Sequence, residues 1–250
     1  MQVTIAHKHQ KKIMVISHER SGTHFLMNTI AGNYTYLSDP WLNLDFDLPL
    51  NFYASYGLKQ YFKKFENASI LNIFKSHHTA GFFEDIIDYV AEQFHVFYIF
   101  RDPRNCLISN WRLIKSLRWD EGPKLASASE FIRAEPSGAM MRYQKKQERN
   151  MLQRWQTHVQ GWHELSEKHP NIKLCLLSYE ELDQNFEATI RKISSFLGQQ
   201  NHSLLRPDID KNVVGLHGKK STNFRDYFDQ KDLDFVAKEV GNFMAKINYL

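Results

Sequence analysis

Residues 15–25 read Val-Ile-Ser-His-Glu-Arg-Ser-Gly-Thr-His-Phe and run from an apolar segment through a tight turn into a helical pattern. The apolar run Ile13–Ser17 predicts a buried strand, and Gly22–Ala31 predicts a helix after it. A helix that begins at such a turn points free N–H groups and its positive dipole end outward. The turn offers one fixed charge, two hydroxyl groups and a glycine that permits close backbone approach, supplied by Arg20, Ser21, Gly22 and Thr23. We therefore expect a cradle for a phosphate-like anion, although a plain Ser-capped helix also fits the pattern.

Strand-like and helix-like segments alternate along the rest of the chain. Short apolar runs predict three more strands, at Ile70–Phe74, Val96–Phe100 and Lys173–Leu177. Helical patterns lie between and after them, at Phe82–Phe94, Pro103–Leu117, Arg142–Lys168 and Phe186–Leu197, the last of which ends at a favourable Gly198 cap. The alternation predicts an α/β fold with a mostly parallel central sheet flanked by helices, and the length suits a single domain over residues 1–250. We expect Ser38–Lys64 and Asp120–Ser137 to be irregular insertions that shape a ligand site.

Composition excludes several classes of protein. Apolar residues make up 42% of the chain and charged residues 24%, which is typical of a globular protein. The net charge of +4 is too small to indicate a nucleic-acid partner, but it is compatible with a local basic pocket. No apolar stretch is long enough to span a membrane, and residues 1–12 lack the apolar core of a signal peptide. Two cysteines inside apolar segments, Cys106 and Cys175, indicate buried thiols in a reducing compartment, so we expect a cytoplasmic protein.

A second anion-binding pattern follows the strand Val96–Phe100. Arg101 stands at the carboxyl end of that strand, where ligands of α/β proteins bind. Ser109 lies about two turns into the next helix, with Asn105 one turn earlier on nearly the same face. The planar donor fork of arginine and the hydroxyl group of serine suit a second phosphate group. A surface arginine beside an ordinary helix is the alternative.

The usual loop that binds nucleotide triphosphates, G-x-x-x-x-G-K-[ST], is absent. Ser17 stands where its first glycine belongs, and no lysine follows Gly22. The sequence also contains no HExxH motif and no paired Cys/His spacing that would indicate zinc, so we expect no metal.

Four motifs in this order together resemble the sulfotransferases that use 3′-phosphoadenosine 5′-phosphosulfate (PAPS). The run Arg20–Thr23 resembles the 5′-phosphosulfate loop of that family, and Arg101 with Ser109 resembles its 3′-phosphate motif. The segment Phe74–His77 resembles the family's Lys-Thr/Ser-His segment, whose histidine is the catalytic base. Ser178–Leu182 resembles a segment whose tyrosine contributes to the cofactor pocket. The resemblance implies a P-loop-like turn for phosphosulfate, PAPS as the donor and the nucleotide PAP as the product.

The resemblance also implies roles for individual residues. It implies three catalytic residues, with His77 as general base and with Arg20 and Lys75 stabilising the departing phosphate. Either His77 or His78 would suit composition alone, and the family pattern favours the first. The cofactor-binding residues that it implies are Arg20, Ser21, Gly22, Thr23, His24, Phe25, Arg101, Ser109, Tyr179, Gly218, Lys219 and Lys220. Of these, Phe25 is expected to stack on adenine, and the last three belong to a segment that partly matches the family's C-terminal motif.

The acceptor and two competing functions remain open. The expected acceptor is a small molecule with a hydroxyl, amine or carbamoyl group, without nucleic acid or membrane as a partner, and the oligomeric state is undetermined. A cluster of aromatic residues is consistent either with the wall of an acceptor pocket or with plain core, namely Trp41, Phe46, Phe52, Tyr53 and Tyr56. The competing functions are a kinase with a degenerate P-loop, which would need Mg²⁺, and a non-catalytic module that binds a nucleotide.

Overall fold

The computed structural model describes residues 10–45, 55–208 and 223–250. Five parallel strands form one sheet: β1 (Lys12–Ser17), β2 (Leu37–Asn43), β3 (Asn72–Ser76), β4 (Phe94–Phe100) and β5 (Leu174–Ser178). Their order across the sheet is β2-β3-β1-β4-β5. The chain leaves the central strand β1 toward one edge and later returns to its other side with β4. In an α/β sheet the carboxyl ends of strands at such a reversal form the usual ligand crevice.

Ten α-helices lie among the described residues. The bounds of the first five are α1 (Thr23–Asn33), α2 (Ser55–Lys63), α3 (Ala80–Phe83), α4 (Ile87–Gln93) and α5 (Pro103–Ser116). The remaining five are α6 (Ala128–Arg133), α7 (Met151–Lys168), α8 (Tyr179–Gln184), α9 (Phe186–Leu197) and α10 (Gln230–Lys246). Short 3₁₀ turns occupy Glu84–Ile86, Gly138–Tyr143 and Phe224–Asp226. None of the helices in these described ranges is both long and apolar enough to cross a membrane.

The core lies on both faces of the sheet. Along β1, Met14 and Ile16 belong to one apolar cluster, while Ile13 and Val15 belong to the other. All six residues of β1 are buried. A parallel sheet covered on both faces needs apolar residues at consecutive positions rather than at alternate ones. This burial explains why the runs in β1, β3 and β4 predicted strands, whereas the edge strand β5 alternates between buried and half-buried positions. The α/β fold is confirmed.

The region Ser38–Lys64 departs from the prediction of an irregular insertion. It contains most of the edge strand β2 and all of α2. The β2 sequence Leu-Ser-Asp-Pro-Trp-Leu-Asn neither alternates nor forms an apolar run, and its register against β3 shifts between Leu37 and Leu42. Proline is tolerated at a sheet edge because its missing N–H breaks no ladder there. The interpretation as a structureless insertion was therefore wrong, as it was for Asp120–Ser137, which contains α6.

Two helix boundaries also differ from the predictions. The predicted helix Phe82–Phe94 is divided by the 3₁₀ turn Glu84–Ile86, and Phe94 already belongs to β4. The predicted helix Arg142–Lys168 begins only at Met151, because Asn150 caps it by accepting a hydrogen bond from the N–H of Gln153 at 2.9 Å. The predicted end of α9 at Gly198 is confirmed by its left-handed φ of 65°.

Candidate active site

The turn after β1 has an unusual backbone. Arg20 and Gly22 both adopt left-handed conformations, with φ of 67° and 96°. Gly22 is the N-cap of α1 and supplies no side-chain cap, which excludes the Ser-capped alternative. The first turn of α1 is therefore open to an external acceptor of hydrogen bonds, as expected for an anion cradle.

The ring of Tyr179 packs directly against this turn. A Cβ atom placed on Gly22 would lie 2.5 Å from Cδ2 of Tyr179 and 3.4 Å from Cδ1 of Ile99. Tyr179 is the first residue of α8, directly after β5, and Ile99 belongs to β4. The turn is thus in van der Waals contact with the carboxyl ends of two other strands, and only glycine fits at position 22.

Arg20 joins the two predicted phosphate-binding elements. Its Nε donates a hydrogen bond to Oγ of Ser109 at 3.1 Å, across 89 residues of sequence. Ser109 is buried in α5, and Ser21 contacts the same helix through a distance of 3.6 Å between its Oγ and Sγ of Cys106. The cationic turn and the serine of the second motif therefore face one region of space.

Arg101 lies at the same edge of the sheet, directly after β4. Its guanidinium carbon lies 4.2 Å from the ring centroid of Tyr179, in cation–π contact. Its Nε is buried and has no hydrogen-bond partner among the described residues. A buried donor without a partner costs free energy, which a bound anion would recover.

Asn105 serves a structural role on the same helix. Its Oδ1 accepts a hydrogen bond from the N–H of Phe224 at 3.0 Å, and the ring of Phe224 stacks under the guanidinium of Arg104 at 4.4 Å. These contacts bring residues that follow 209–222 next to α5. Gly218, Lys219 and Lys220 lie outside the described residues, so their predicted contacts stay predictions.

His77 follows β3 and points at the turn after β1. Its Nδ1 lies 2.8 Å from the carbonyl oxygen of Ser17. A carbonyl oxygen only accepts, so Nδ1 carries the proton and Nε2 keeps a lone pair. Oγ of Ser17 contacts both Nδ1 of His77, at 3.2 Å, and Oγ1 of Thr23, at 2.6 Å. The histidine is therefore held by Ser17, whose hydroxyl group also contacts Thr23 of the predicted anion cradle.

Burial keeps this imidazole neutral. Desolvation, followed by the nearby charge of Lys75, lowers the pKa of His77 to about 4. A neutral imidazole with Nε2 unprotonated is the form that a general base needs.

His78 has a different environment. It is 1% exposed, its Nδ1 lies 2.8 Å from Oγ of Ser76, and its ring stacks on Phe82 at 3.9 Å. These contacts hold it in the core, whereas His77 retains 9% exposure. His77 is thus the more exposed of the two histidines.

Helix α7 holds the main chain of both histidines. Nε2 of His158 donates to the carbonyl oxygen of His77 at 2.9 Å, and Nε1 of Trp162 donates to that of His78 at 3.2 Å. Nδ1 of His158 in turn lies 2.9 Å from the hydroxyl group of Tyr98. His158 and Trp162 are one helical turn apart, so a single helix face fixes consecutive carbonyl groups.

Asp45 completes the surroundings of Lys75. Its Oδ2 accepts a hydrogen bond from Nζ of Lys75 at 2.6 Å, and its Oδ1 accepts one from the N–H of His77 at 2.9 Å. The carboxylate is fully buried. Burial is the largest single influence and raises the pKa of Asp45, but Lys75, His77 and His78 together outweigh burial and lower that pKa. This residue was not expected from the sequence because β2, the strand that ends two residues before it, was not predicted.

A second buried ion pair lies beneath the turn. Both carboxylate oxygens of Glu19 accept hydrogen bonds from the guanidinium of Arg154, at 2.9 and 2.7 Å. Nη1 of Arg154 also lies 2.9 Å from Nε2 of His18. Burial favours the neutral acid, yet Arg154 holds the pKa of Glu19 well below its usual value of 4.5. This bidentate pair anchors the residue just before Arg20 to α7.

Two of the predicted cofactor residues have less direct positions. His24 packs edge-on against Trp41 at 4.7 Å, and burial followed by the charge of Lys75 lowers its pKa to about 3. Phe25 is 1% exposed and lies in the core, with its ring centroid 6.0 Å from that of Tyr179. In this structure its ring is covered rather than presented to a base. Of the aromatic cluster, Tyr56 is 74% exposed, while Phe46, Phe52 and Tyr53 lie outside the described residues.

Cysteines and potential metal ligands add two observations. Cys106 and Cys175 are buried and not joined in a disulfide. Over residues 10–45, 55–208 and 223–250, no group of three or more His, Cys, Asp or Glu side chains could hold a metal ion.

Curated relatives and solved structures resemble this chain. Human sulfotransferase 2A1 is 32% identical over 104 residues, which is 42% of this chain and 31% of that protein. The Macaca fascicularis sulfotransferase 2A1 is 22% identical over 188 residues, 75% of this chain and 59% of that protein. The matched region thus covers less than two thirds of each curated relative.

Two solved structures share the fold. Mouse sulfotransferase SULT7A1 complexed with PAP has a TM-score of 0.57 and 17% identity, covering 93% of this chain and 85% of that one. Retinol dehydratase in complex with androsterone and inactive cofactor PAP has a TM-score of 0.58 and 17% identity, covering 93% and 80%.

The sequence model of the sulfotransferase domain matches residues 10–244. This match includes the turn after β1, the histidine after β3, and the arginine and serine that follow β4. The chain belongs to the sulfotransferase family.

Proposed function

We propose that this protein transfers a sulfuryl group from PAPS to a hydroxyl group, or to an amine or carbamoyl nitrogen, of a small-molecule acceptor. The observation that supports it most is the hydrogen bond of 3.1 Å between Arg20 and Ser109, which unites the two predicted phosphate-binding elements. A donor that carries separate 5′ and 3′ anionic groups can bind both elements only if they lie no further apart than the length of one nucleotide.

The residues present fit this donor. The left-handed turn with Gly22 leaves the first turn of α1 without a side-chain cap, which suits the 5′ phosphosulfate. Arg101, whose buried Nε has no partner among the described residues, and Ser109 would hold the 3′-phosphate. Tyr179, in contact with both Gly22 and Arg101, would line the pocket between them. When bound, PAPS supplies an activated sulfuryl group on a good leaving group.

The chain's own residues would then position groups and neutralise charge. Sulfuryl transfer, by analogy with phosphoryl transfer, passes through a loose in-line transition state. Nε2 of His77 would remove the proton of the acceptor, because Nδ1 is committed to the carbonyl oxygen of Ser17. Arg20 and Lys75 would stabilise negative charge on the bridging oxygen and the departing phosphate.

The acceptor is a small molecule in this proposal. Retinol dehydratase has been solved in one complex with androsterone and in another with retinol. We extend to this chain only the size class of such ligands. A cytoplasmic location agrees with two buried thiols that form no disulfide. We also propose a single domain over residues 1–250.

Direct assay tests the proposal. Purified protein is incubated with PAPS and a panel of phenols, alcohols, amines and carbamoyl compounds, and products are detected by mass spectrometry. We expect PAP release coupled to a product heavier by one sulfuryl group. Thermal shift with PAP at about 100 times its Kd should add about 2.7 kcal/mol of stability.

A histidine variant tests the base. We expect His77→Ala to lower kcat by roughly 10²–10⁴-fold and to leave PAP affinity almost unchanged. His202→Ala removes an exposed histidine and is the matched control. A His77→Ala enzyme with most of the original kcat would contradict the mechanism.

The same assays separate the competing functions. A kinase would bind ATP, require Mg²⁺ and lose activity in EDTA. A non-catalytic module would bind PAP yet transfer nothing to any acceptor, and His77→Ala would then have no consequence.

A further inference from the structure

One buried carboxylate binds two parts of the catalytic segment at once. Oδ2 of Asp45 accepts a hydrogen bond from Nζ of Lys75, at 2.6 Å, while Oδ1 accepts one from the N–H of His77, at 2.9 Å. The side chain of Asp45 is fully buried and that of Lys75 is 7% exposed. An ion pair out of water has little freedom to rearrange and is barely screened by salt.

The backbone around Asp45 is itself held in place. The N–H of Leu44 donates to the carbonyl oxygen of Lys75 at 3.0 Å, which extends the pairing of β2 with β3 by one step. The N–H of Asp45 donates to Oδ1 of Asn43 at 3.1 Å. The carboxylate therefore approaches Lys75 and His77 from the turn that directly follows the neighbouring strand β2.

Besides holding the main chain, the carboxylate of Asp45 influences the pKa of His77. Nε2 of His77 lies 4.0 Å from Oδ2 of Asp45, the oxygen that Lys75 also binds. After desolvation, Lys75 is the largest influence that lowers the pKa of His77, and Asp45 is the first that raises it. Glu19 raises the same pKa from the turn after β1, and His18 and His24 also lie within electrostatic range.

We propose that Asp45 is a positioning residue of the sulfuryl-transfer site, which holds the ammonium group of Lys75 beside His77 and fixes the main chain of His77. This inference rests on the proposed function. One of the three N–H groups of Lys75 binds Asp45, so two remain to face the leaving group. Asp45 also compensates the lysine charge that would otherwise weaken the imidazole as a base.

Asp45→Asn separates charge from hydrogen bonding. The amide oxygen can still accept from the N–H of His77, but the negative charge beside Lys75 is lost. We expect kcat to fall on the order of 10- to 100-fold, because a reacting group is misplaced and the base is weaker. The Kd for PAP, measured by thermal shift, should stay within about twofold, since the hydrogen bonds that the Asp45 carboxylate accepts come from Lys75 and His77 and not from Arg101 or Ser109.

Asp232→Asn is the matched control. Asp232 is also buried, and it pairs with Arg133 at 2.6 Å on α6, away from the site. Its loss should lower stability and leave kcat unchanged. If both variants lowered kcat equally, Asp45 would be an ordinary structural residue and the proposal would fail.

A double-mutant cycle with Lys75→Met tests whether Asp45 acts through Lys75. If Asp45 acts through Lys75, adding Asp45→Asn to Lys75→Met should lower kcat much less than the same change in the original protein. Equal losses in both backgrounds would overturn the proposal. Should Asp45→Asn not fold, the cycle is run with Asp45→Glu, which keeps the charge but displaces it by one methylene group, with the same two outcomes.

Failure of the proposal for Asp45 can be distinguished from failure of the proposed function. If no PAPS-dependent product forms with the original protein, the function itself is wrong. If product forms and His77→Ala retains kcat, only the assignment of the base is wrong. If both of those tests succeed and the cycle shows no coupling, only the role of Asp45 is wrong.

Discussion

Nε of Arg20 donates a hydrogen bond to Oγ of Ser109 at 3.1 Å, although the two residues stand 89 positions apart in sequence. One residue belongs to the turn after the central strand, and the other lies inside the helix that follows β4. Their contact means that a ligand bound by one is within reach of the other. Arg20 itself is partly exposed, whereas Ser109 is buried at 6% exposure.

We first predict the effect of removing this serine hydroxyl group. Ser109→Ala deletes a hydrogen bond to a charged donor and one proposed contact with the 3′-phosphate. Such bonds contribute about 1.5–3 kcal/mol, so PAP affinity should fall roughly 10- to 100-fold. Calorimetric titration with PAP checks this. Ser116→Ala, at the exposed end of the same helix, is the control, and an unchanged Kd for Ser109→Ala would contradict the placement of the nucleotide.

Our second prediction compares two glycines with left-handed backbones. In Gly22→Ala the new methyl group would meet the ring of Tyr179 at 2.5 Å, whereas nothing lies within 4 Å of a Cβ atom at Gly198. Gly198→Ala should therefore cost only about 1–2 kcal/mol, from backbone strain. Gly22→Ala should cost more and should also displace Tyr179, so that PAP binding weakens.

Chemical denaturation and thermal shift with PAP measure both effects. Equal PAP affinity in the two glycine variants would show that the ring of Tyr179 does not form part of the nucleotide site.

Our third prediction concerns the two α7 side chains that hold the carbonyl groups of His77 and His78. Trp162→Phe removes one hydrogen bond, to the carbonyl oxygen of His78, and should cost about 1 kcal/mol of stability without changing kcat. His158→Phe removes the hydrogen bond to the carbonyl oxygen of His77 and should lower kcat about tenfold. Steady-state kinetics beside urea unfolding separates the two effects. A loss of kcat in Trp162→Phe as large as in His158→Phe would argue against a specific role for His158.

The buried histidines predict how stability depends on pH. Burial is the largest influence that lowers the pKa of His18, His77 and His78, each to about 4 from 6.5. Between pH 6.5 and 4 these histidines are therefore protonated in the unfolded chain but neutral in the folded protein. The free energy of unfolding is highest above pH 6.5 and falls as the pH drops toward 4. Each site contributes a slope of up to about 1.4 kcal/mol per pH unit.

Urea unfolding between pH 7 and 5 measures this slope. Asp45 and Glu19 have lowered pKa values, so their stabilising effect is lost only as the pH falls below their unfolded values of 3.8 and 4.5. They do not interfere in this window. His78→Asn should reduce the slope by the share of one site, and a flat profile in the original protein would contradict the buried neutral imidazoles.

The sequence predicted those strands and helix ends whose structure depends on residues close together in the chain. Residues of β1 are buried on both faces, so their composition alone distinguishes them from a surface strand. Pro103 at the start of α5 and Gly198 after α9 mark helix ends by their own backbone geometry. The edge strand β2 was missed because Pro40 and a register shift remove both periodicity and apolar continuity.

The candidate site was predictable only where a motif held the information. Arg20, Arg101 and Ser109 were expected from residue types that follow predicted strands, and His77 from the family resemblance, while their distances came from the fold. Asp45 and Arg154 were missed because a buried ion pair has no local signature: each charge resembles a surface residue until its distant partner is known.

The central strand β1 lies between the proposed acceptor side of the site and its proposed nucleotide side. The proposed base, His77, follows the neighbouring strand β3. The residues proposed to bind the nucleotide, Arg101 and Ser109, follow the other neighbouring strand, β4. If the proposed function holds, we expect substitutions beside β2 and β3 to change the acceptor without disturbing the contacts of Arg101 and Ser109 beside β4. A fold of this kind is suited to diversification, because new chemistry of the acceptor needs no new way to hold the donor.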